Sequence, residues 1–208
     1  MRTPLIALCL VAASLMARAE DATVEFDGQS YRLDYQDAAK PPSGRQGNSL
    51  AEFTLQGETV NDWTKLFAYY LFPESGDDPV AMAETMGETT KELNPDANFK
   101  VIKNPQTGDA IIDFLTWSDG SDVMEFNVFR YARAEYGPGL VAMQYAQRFK
   151  LGDMSVEEFR ALRAHAVDEM AESDMAQARD YFAAKAKEKL GSARDANPPP
   201  SASAGAGR

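Results

Sequence analysis

The chain has 208 residues, of which 44% are hydrophobic and 25% are charged, which is enough for one globular domain with a buried core. Acidic residues outnumber basic residues by 32 to 21, and the net charge of −11 argues against coating nucleic acid or an anionic membrane surface. The single cysteine, Cys9, excludes a disulfide-based scaffold.

The first 19 residues have the pattern of a secretory signal peptide. Arg2 supplies a positive charge, and residues 5–13 form an apolar run that is too short to span a bilayer. Residues 17–19 (ARA) fit the small-x-small rule, so we predict cleavage after Ala19 and a periplasmic or secreted location. The mature chain would then contain no thiol and no membrane span. A buried N-terminal helix is the alternative interpretation of the apolar run.

Residues 191–208 (GSARDANPPPSASAGAGR) contain too few apolar side chains to offset the entropy lost on ordering. We predict a disordered tail here, with a rigid spacer or a wall-tethering segment as the alternative. The predicted organisation is a signal peptide over residues 1–19, a single folded domain over residues 20–190, and the tail.

The first part of the domain predicts a hairpin followed by a strand. Asp27-Gly28 lies between two β-prone runs within residues 23–36, which is typical of a tight two-residue hairpin turn. In residues 51–56 apolar and polar side chains alternate, as in a half-buried strand.

Two helices are predicted next, over residues 61–72 and 78–93. The first begins at Asn61 and is stopped by Pro73. Trp63, Phe67 and Tyr70 would lie on one face of it, because their spacing is i, i+4 and i+7. Core packing is favoured for this aromatic stripe over a ligand pocket.

Residues 98–149 predict an antiparallel four-stranded meander, because the links between the β-prone segments are too short for parallel crossovers. The predicted strands are 98–103, 109–117, 123–132 and 139–149. A capping box at Ser155 and Glu158 begins a long helix that reaches about Leu190, with a break near Ser173, and it would cover the apolar face of the sheet. The predicted fold class is α+β, an antiparallel meander packed by helices as a two-layered or three-layered sandwich.

The chemistry of side chains is restricted, because the chain contains one histidine, His165. A surface pair with Glu169, one helical turn away, is favoured over a catalytic or ligand-binding role. With one histidine and no cysteine in the mature chain, cysteine–histidine catalysis and zinc sites rich in these residues are excluded. The sequence therefore assigns no catalytic residue, no cofactor and no metal ligand.

Polar residues in otherwise apolar strands form the main candidate site. If the loop between the second and third meander strands has an odd number of residues, Asp113 falls opposite Asn127, with Glu125 on the same face. Gln144 and Arg148 would extend this polar surface onto the last strand. The pattern suits a small binding site or a glycosidase-like acid pair, although a solvated sheet face is the favoured interpretation.

Three stretches carry a resemblance to a known group of proteins: residues 61–66 (NDWTKL), 125–131 (EFNVFRY) and 140–146 (LVAMQYA). They resemble uncharacterised secreted proteins of Gram-negative bacteria, over roughly residues 48–172. The order of elements is also similar to the PsbP/DcrB-type α+β sandwich, which implies a binding, assembly or chaperone-like accessory role. Neither resemblance implies a particular functional residue.

The sequence thus predicts a secreted or periplasmic accessory protein that binds an envelope protein or a small ligand without chemistry and without a cofactor. The candidate contacts are Trp63, Tyr70, Asp113, Glu125, Asn127 and Arg130. An exposed aromatic patch would favour this function, whereas burial of Trp63 and Tyr70 would count against it. The alternatives are a hydrolase that uses two acids among Asp113, Asp122 and Glu125, and a passive structural envelope protein.

Overall fold

The computed structural model describes residues 22–38 and 47–196, with side chains up to Glu188. The predicted signal peptide and residues 197–208 of the predicted tail lie outside the described residues.

The described residues form eight strands and three helices. In chain order they are β1 (Thr23–Phe26), β2 (Gln29–Ala38), β3 (Ser49–Thr54), β4 (Lys65–Phe72), α1 (Pro79–Leu93), β5 (Phe99–Lys103), β6 (Ala110–Trp117), β7 (Val123–Arg133), β8 (Leu140–Lys150), α2 (Val156–Glu172) and α3 (Ala176–Ala196). The strands build one antiparallel sheet in the order β1-β2-β3-β4-β8-β7-β6-β5. Two meanders, β1–β4 and β5–β8, therefore meet where β4 pairs with β8.

Helices cover both faces of the sheet. On one face α1 packs on β5, β6 and β7, where Phe129 and Tyr131 lie in its apolar cluster. On the other face α2 and α3 cover Val128 and its neighbours. This confirms the α+β class and gives three layers, although the pattern predicted one apolar sheet face and the structure has two. Within the described residues, none of the helices has the length and hydrophobicity that a bilayer crossing requires.

The predicted helix over residues 61–72 is wrong, because residues 65–72 form β4. The strand sequence KLFAYYLF is apolar almost throughout, since it lies in the middle of the sheet and contributes to clusters on both faces. Such a run has no clear period, so its aromatic spacing matched a helix by coincidence. Phe67 and Tyr70 lie on opposite faces, and Trp63 lies in the loop before the strand.

The locally determined elements agree with the predictions. Asp27 and Gly28 have φ angles of 51° and 64°, which is the left-handed pair of a type I′ hairpin turn between β1 and β2. The second predicted helix is α1, and each of the four meander strands lies within one residue of its predicted bounds. The predicted break near Ser173 separates α2 from α3, which continues to Ala196, beyond the predicted Leu190.

The capping box of α2 is formed as predicted, and it provides a test of helix stability. The Ser155 hydroxyl accepts a hydrogen bond from the Glu158 amide at 3.2 Å, and the Glu158 carboxylate accepts one from the Ser155 amide at 2.8 Å. The Ser155→Ala variant should lose about 1 kcal/mol of unfolding free energy in urea titrations. Equal stability of the variant and the native protein would contradict this role.

The same capping box should make stability depend on acid. The hydrogen bonds from Ser155 lower the pKa of Glu158, so the folded state holds this carboxylate ionised more strongly than the unfolded state does. The contribution of the Glu158 carboxylate to the free energy of unfolding is present above its pKa in the unfolded chain, about 4.3. It is lost as the pH falls through the lower pKa of the folded state. Comparing Glu158→Gln with the native protein over that pH range measures this contribution.

Candidate functional site

A cleft of about 770 Å³ lies between α1 and the sheet face formed by β6, β7 and β8. We call it the α1 cleft, and its lining includes Thr89 and Leu93 of α1, Trp117 of β6, Asn127 of β7 and Gln144 of β8. Leu93 is 78% exposed and Trp117 is partly exposed. The cap residue of α1, Asn94, donates a hydrogen bond from Nδ2 to the Trp117 carbonyl at 2.9 Å and so fixes the end of the helix against β6.

A row of polar side chains crosses three strands beside and beneath this cleft. The Tyr70 hydroxyl donates to Gln144 Oε1 at 2.6 Å, and Gln144 Nε2 donates to Asn127 Oδ1 at 2.7 Å. Asn127 Nδ2 then donates to Glu125 Oε1 at 3.2 Å. Every donor in the row points the same way, toward the carboxylate, so each bond polarises the next. We call these four residues the polar row.

Arg148 completes the row at its charged end. Glu125 and Arg148 lie directly opposite each other on β7 and β8, and Arg148 Nε donates to Glu125 Oε2 at 3.0 Å. The guanidinium carbon lies 3.7 Å from the centre of the Trp63 ring, which gives a cation–π contact. Both charged side chains remain partly exposed, at 36% for Arg148 and 29% for Glu125. Among the described residues, the two terminal nitrogens of Arg148 have no hydrogen-bond partner.

The electrostatics of the row keep its first donor protonated. Burial raises the pKa of Tyr70 well above its usual value, and the negative charges of Glu52 and Glu125 raise it further. The Tyr70 hydroxyl is therefore a permanent hydrogen-bond donor at physiological pH. The amide orientations are fixed from the other end of the row, because the Glu125 carboxylate only accepts, so Asn127 donates with Nδ2 and Gln144 in turn donates with Nε2.

Hydrogen bonding is the chemistry that this arrangement supports. Both carboxylate oxygens of Glu125 already accept hydrogen bonds, which leaves the group poorly placed to take a proton from a substrate. Asn127 and Gln144 have neutral amide side chains. The described arrangement therefore suits recognition of a polar ligand better than acid–base catalysis.

The structure contradicts the predicted position of Asp113, which lies on the opposite sheet face from Glu125 and Asn127. Asp113 pairs with Val128 rather than with Asn127. The loop between the two strands has an even number of residues, so the odd-loop condition for the predicted register is not met, and in a strand a shift of one residue moves a side chain to the other face. Asp113 instead forms two hydrogen bonds with Arg163 of α2, at 2.5 and 3.0 Å. An acid pair of Asp113 and Glu125 therefore does not face one cleft.

Arg130 also lies on the α2 face, where it fixes the end of that helix. Its Nε and Nη2 donate to Asp109 Oδ2 at 3.1 and 2.6 Å. Its Nη1 donates to the carbonyls of Met170, Ala171 and Ser173 at 3.2, 2.9 and 2.8 Å. Arg130 is only 9% exposed, so it is a structural anchor rather than a contact in the α1 cleft.

Of the six predicted contacts, four thus belong to the α1 side of the sheet. Glu125 and Asn127 line the α1 cleft, whereas Tyr70 and Trp63 support it through the polar row and the stack on Arg148. Trp63 is 8% exposed, which counts against an exposed aromatic patch there. The aromatic side chains that do line the cleft include Phe114, Trp117 and Phe129, none of which was among the contacts predicted from the sequence.

The α1 side of the cleft could not have been found from sequence. The helix itself was predicted, but its position over β5–β7 depends on a crossover from β4 in the middle of the sheet to β5 at its edge. Thr89 and Leu93 gave no signal, because exposed helix residues of these types are common.

His165 lies outside the α1 cleft and has a different partner from the predicted one. Its Nε2 lies 2.7 Å from Asp27 Oδ1 in the β1–β2 turn, and this hydrogen bond raises the pKa of the imidazole. Glu169, the predicted partner, is also close: one ligand atom from each of Asp27, His165 and Glu169 lies within 4.8 Å of the others. This group has a donor set that could hold a metal ion.

Comparison with known protein families places most of the chain in a family. The model of an uncharacterised bacterial family matches residues 19–175, roughly three quarters of the chain. The matched range includes all eight strands, α1 and α2, and it ends directly before α3. It therefore contains the whole polar row and Arg148. A search of curated proteins found no match.

Proposed function

This chain belongs to an uncharacterised bacterial protein family, and from that premise we propose that it is a secreted or periplasmic accessory protein that binds a small polar ligand in the α1 cleft. In this proposal the protein carries out no chemistry on the ligand. The second form of the proposal, which the sequence also predicts, is that the chain binds a protein partner instead of a small ligand.

The observation that carries the proposal is the polar row with its charged end. Gln144 and Asn127 are buried, and their amide groups are held in one orientation by neighbours on three strands. Fixed polar groups at the base of a concave site bind with little loss of side-chain entropy. The terminal nitrogens of Arg148 are donors that a ligand oxygen can use.

The size and lining of the cleft favour a small molecule. Its volume of about 770 Å³ is in the usual range for small-molecule sites. Phe114 and Phe129 contribute apolar surface next to the polar row. A ligand with a hydrogen-bonding part and a less polar part would match both kinds of lining.

The proposed location is supported by the sequence pattern of the first 19 residues, with its basic start, apolar run and small-x-small site. Cleavage after Ala19 would remove the only cysteine, Cys9. A fold that does not depend on a thiol is compatible with an oxidising compartment.

Closing the α1 cleft should abolish ligand retention. Thr89 is exposed on α1 and lines the cleft, so the long side chain of a Thr89→Arg variant would occupy the ligand volume. We expect native mass spectrometry of the protein purified from its host's envelope fraction to show an extra mass of small-molecule size. The affinity of the Thr89→Arg variant for this ligand should be at least about tenfold lower, equivalent to about 1.4 kcal/mol, and the fraction that retains the extra mass should fall with it.

Thr85→Arg is the matched control. Thr85 lies one turn earlier on α1, is also exposed, and does not line the cleft. The two variants have the same charge, so a loss that is confined to Thr89→Arg locates the ligand in the cleft. Equal retention by both variants would contradict the proposed site. A bound protein in place of a small mass would favour the partner-binding form.

A further inference from the structure

Three potential metal ligands from two distant parts of the chain converge on the opposite side of the sheet from the α1 cleft. Asp27 occupies the β1–β2 turn, whereas His165 and Glu169 are separated by one turn on the same side of α2. One ligand atom of each residue lies within 4.8 Å of the other two. This set combines one imidazole nitrogen with two carboxylates.

The charges next to this group favour a cation. A cavity of about 380 Å³ adjoins it, and its lining contains five carboxylates and no lysine or arginine. These carboxylates belong to Glu25, Asp27, Glu169, Glu172 and Asp174. The surrounding negative potential raises the local concentration of cations. Three of them, Glu25, Glu172 and Asp174, lie outside the donor set and add negative charge to that of the ligands themselves.

We propose that Asp27, His165 and Glu169 bind a divalent transition-metal ion of the zinc class. Imidazole nitrogen with carboxylate oxygen is a ligand set that zinc uses, whereas calcium and magnesium prefer oxygen alone. Three protein ligands leave a fourth tetrahedral position for water. The sequence predicted no metal ligand, because the mature chain cannot form a zinc site rich in histidine or cysteine. That argument does not apply to a site with one histidine and two carboxylates.

Binding requires small side-chain movements and a free lone pair on His165 Nε2. Ligand atoms around a tetrahedral zinc ion are about 3.3 Å apart, so the 2.7 Å contact between His165 and Asp27 must open while the longest separation closes by on the order of 1 Å. The hydrogen on His165 Nε2 must leave that atom before the metal takes its lone pair: an imidazolium releases it as a proton, whereas in the neutral ring it moves to Nδ1. His165 and Asp27 have side chains that are 55% and 27% exposed, which leaves room for these movements.

A bound ion would join the turn of the β1–β2 hairpin to the middle of α2. These segments are 138 residues apart in sequence and are connected here by the His165–Asp27 hydrogen bond. Phe67 and Met143, which line the cavity beside this site, lie on the α2 and α3 face of the sheet. The α1 cleft lies on the other face, so the metal site does not depend on the proposed ligand function.

The test uses the fact that His165 is the only histidine in the chain. Protein prepared without a histidine tag gives one pair of imidazole ring resonances, which report directly on His165 while zinc chloride is added. We expect saturable shifts of both resonances with one equivalent of zinc. Glu169→Gln and Asp27→Asn should each weaken zinc binding by about tenfold or more. Asparagine tolerates the positive φ of residue 27, so the turn is preserved.

Glu172→Gln is the control, since Glu172 lines the same cavity but is not one of the three converging residues. It removes the same charge and should change the zinc affinity much less than Glu169→Gln does. Two results would overturn the proposal. One is imidazole resonances that do not respond to excess zinc, and the other is an equal loss of affinity in Glu169→Gln and Glu172→Gln, which would indicate only diffuse attraction.

Discussion

Replacing Arg130 by methionine is expected to lower the free energy of unfolding by about 3–5 kcal/mol. The change removes the buried guanidinium that donates two hydrogen bonds to Asp109, which is itself 6% exposed and would lose this partner. It also removes the donor to three carbonyls at the end of α2. Urea unfolding followed by tryptophan fluorescence measures the loss.

Two further variants separate the causes. The double change Arg130→Met with Asp109→Leu replaces the whole ion pair by apolar side chains, so it should recover part of the loss but leave the α2 carbonyls unsatisfied. Arg160→Met is the surface control, because the pair of Arg160 with Glu157 is highly exposed and should contribute no more than about 0.5 kcal/mol. A loss at Arg130 no larger than that at Arg160 would disprove the anchoring role.

Gly139→Ala should be the second large perturbation. Gly139 has a φ of 92°, which alanine adopts with difficulty, at a cost of about 1–3 kcal/mol. A Cβ atom at this position would also overlap the carbonyl oxygen of Phe72 and lie 2.6 Å from Pro73 Cα. Because these are backbone atoms, relief requires β4 and β8 to separate, which adds about 1–3 kcal/mol.

Gly57→Ala isolates the conformational cost in this comparison. Gly57 has nearly the same φ, 90°, but nothing lies within 4 Å of a Cβ built on it. The difference between the two variants in urea unfolding therefore measures the overlap at the β4–β8 junction alone. Equal losses of unfolding free energy in Gly139→Ala and Gly57→Ala would show that β4 and β8 separate at this junction without cost.

The features predicted correctly from sequence depend on residues within a few positions of each other. The Asp27-Gly28 turn and the Ser155–Glu158 capping box are complete in four residues or fewer, and both are present. β4 was predicted as a helix because burial on both faces removes the alternation that identifies a strand. The identity of such a segment depends on its neighbours β3 and β8, which are distant in sequence.

The part of the candidate site that was predicted correctly also depends on segments that are close together in the sequence. Glu125, Asn127, Gln144 and Arg148 were grouped correctly, because strands β7 and β8 pair through a short link. Asp113 was misplaced because the pairing of β6 with β7 ends at Trp117 and Met124 and leaves an even number of residues between them. The β-propensity of the residues does not determine where strand pairing ends in such a loop. A shift of the register by one residue moves each side chain to the other face of the sheet.

The junction of β4 with β8 also has a consequence for the order of folding during synthesis. Paired residues across it are separated by 68 positions for Phe72 and Leu140 and by 82 for Lys65 and Gln147. At about 5–20 residues per second, a ribosome needs roughly 3–16 s to make the chain between them. Throughout that interval β4 is an unpaired apolar edge, the kind of surface that chaperones bind. The sheet is therefore completed only once β8 has been made, and α3, which contacts both strands, is synthesised after it.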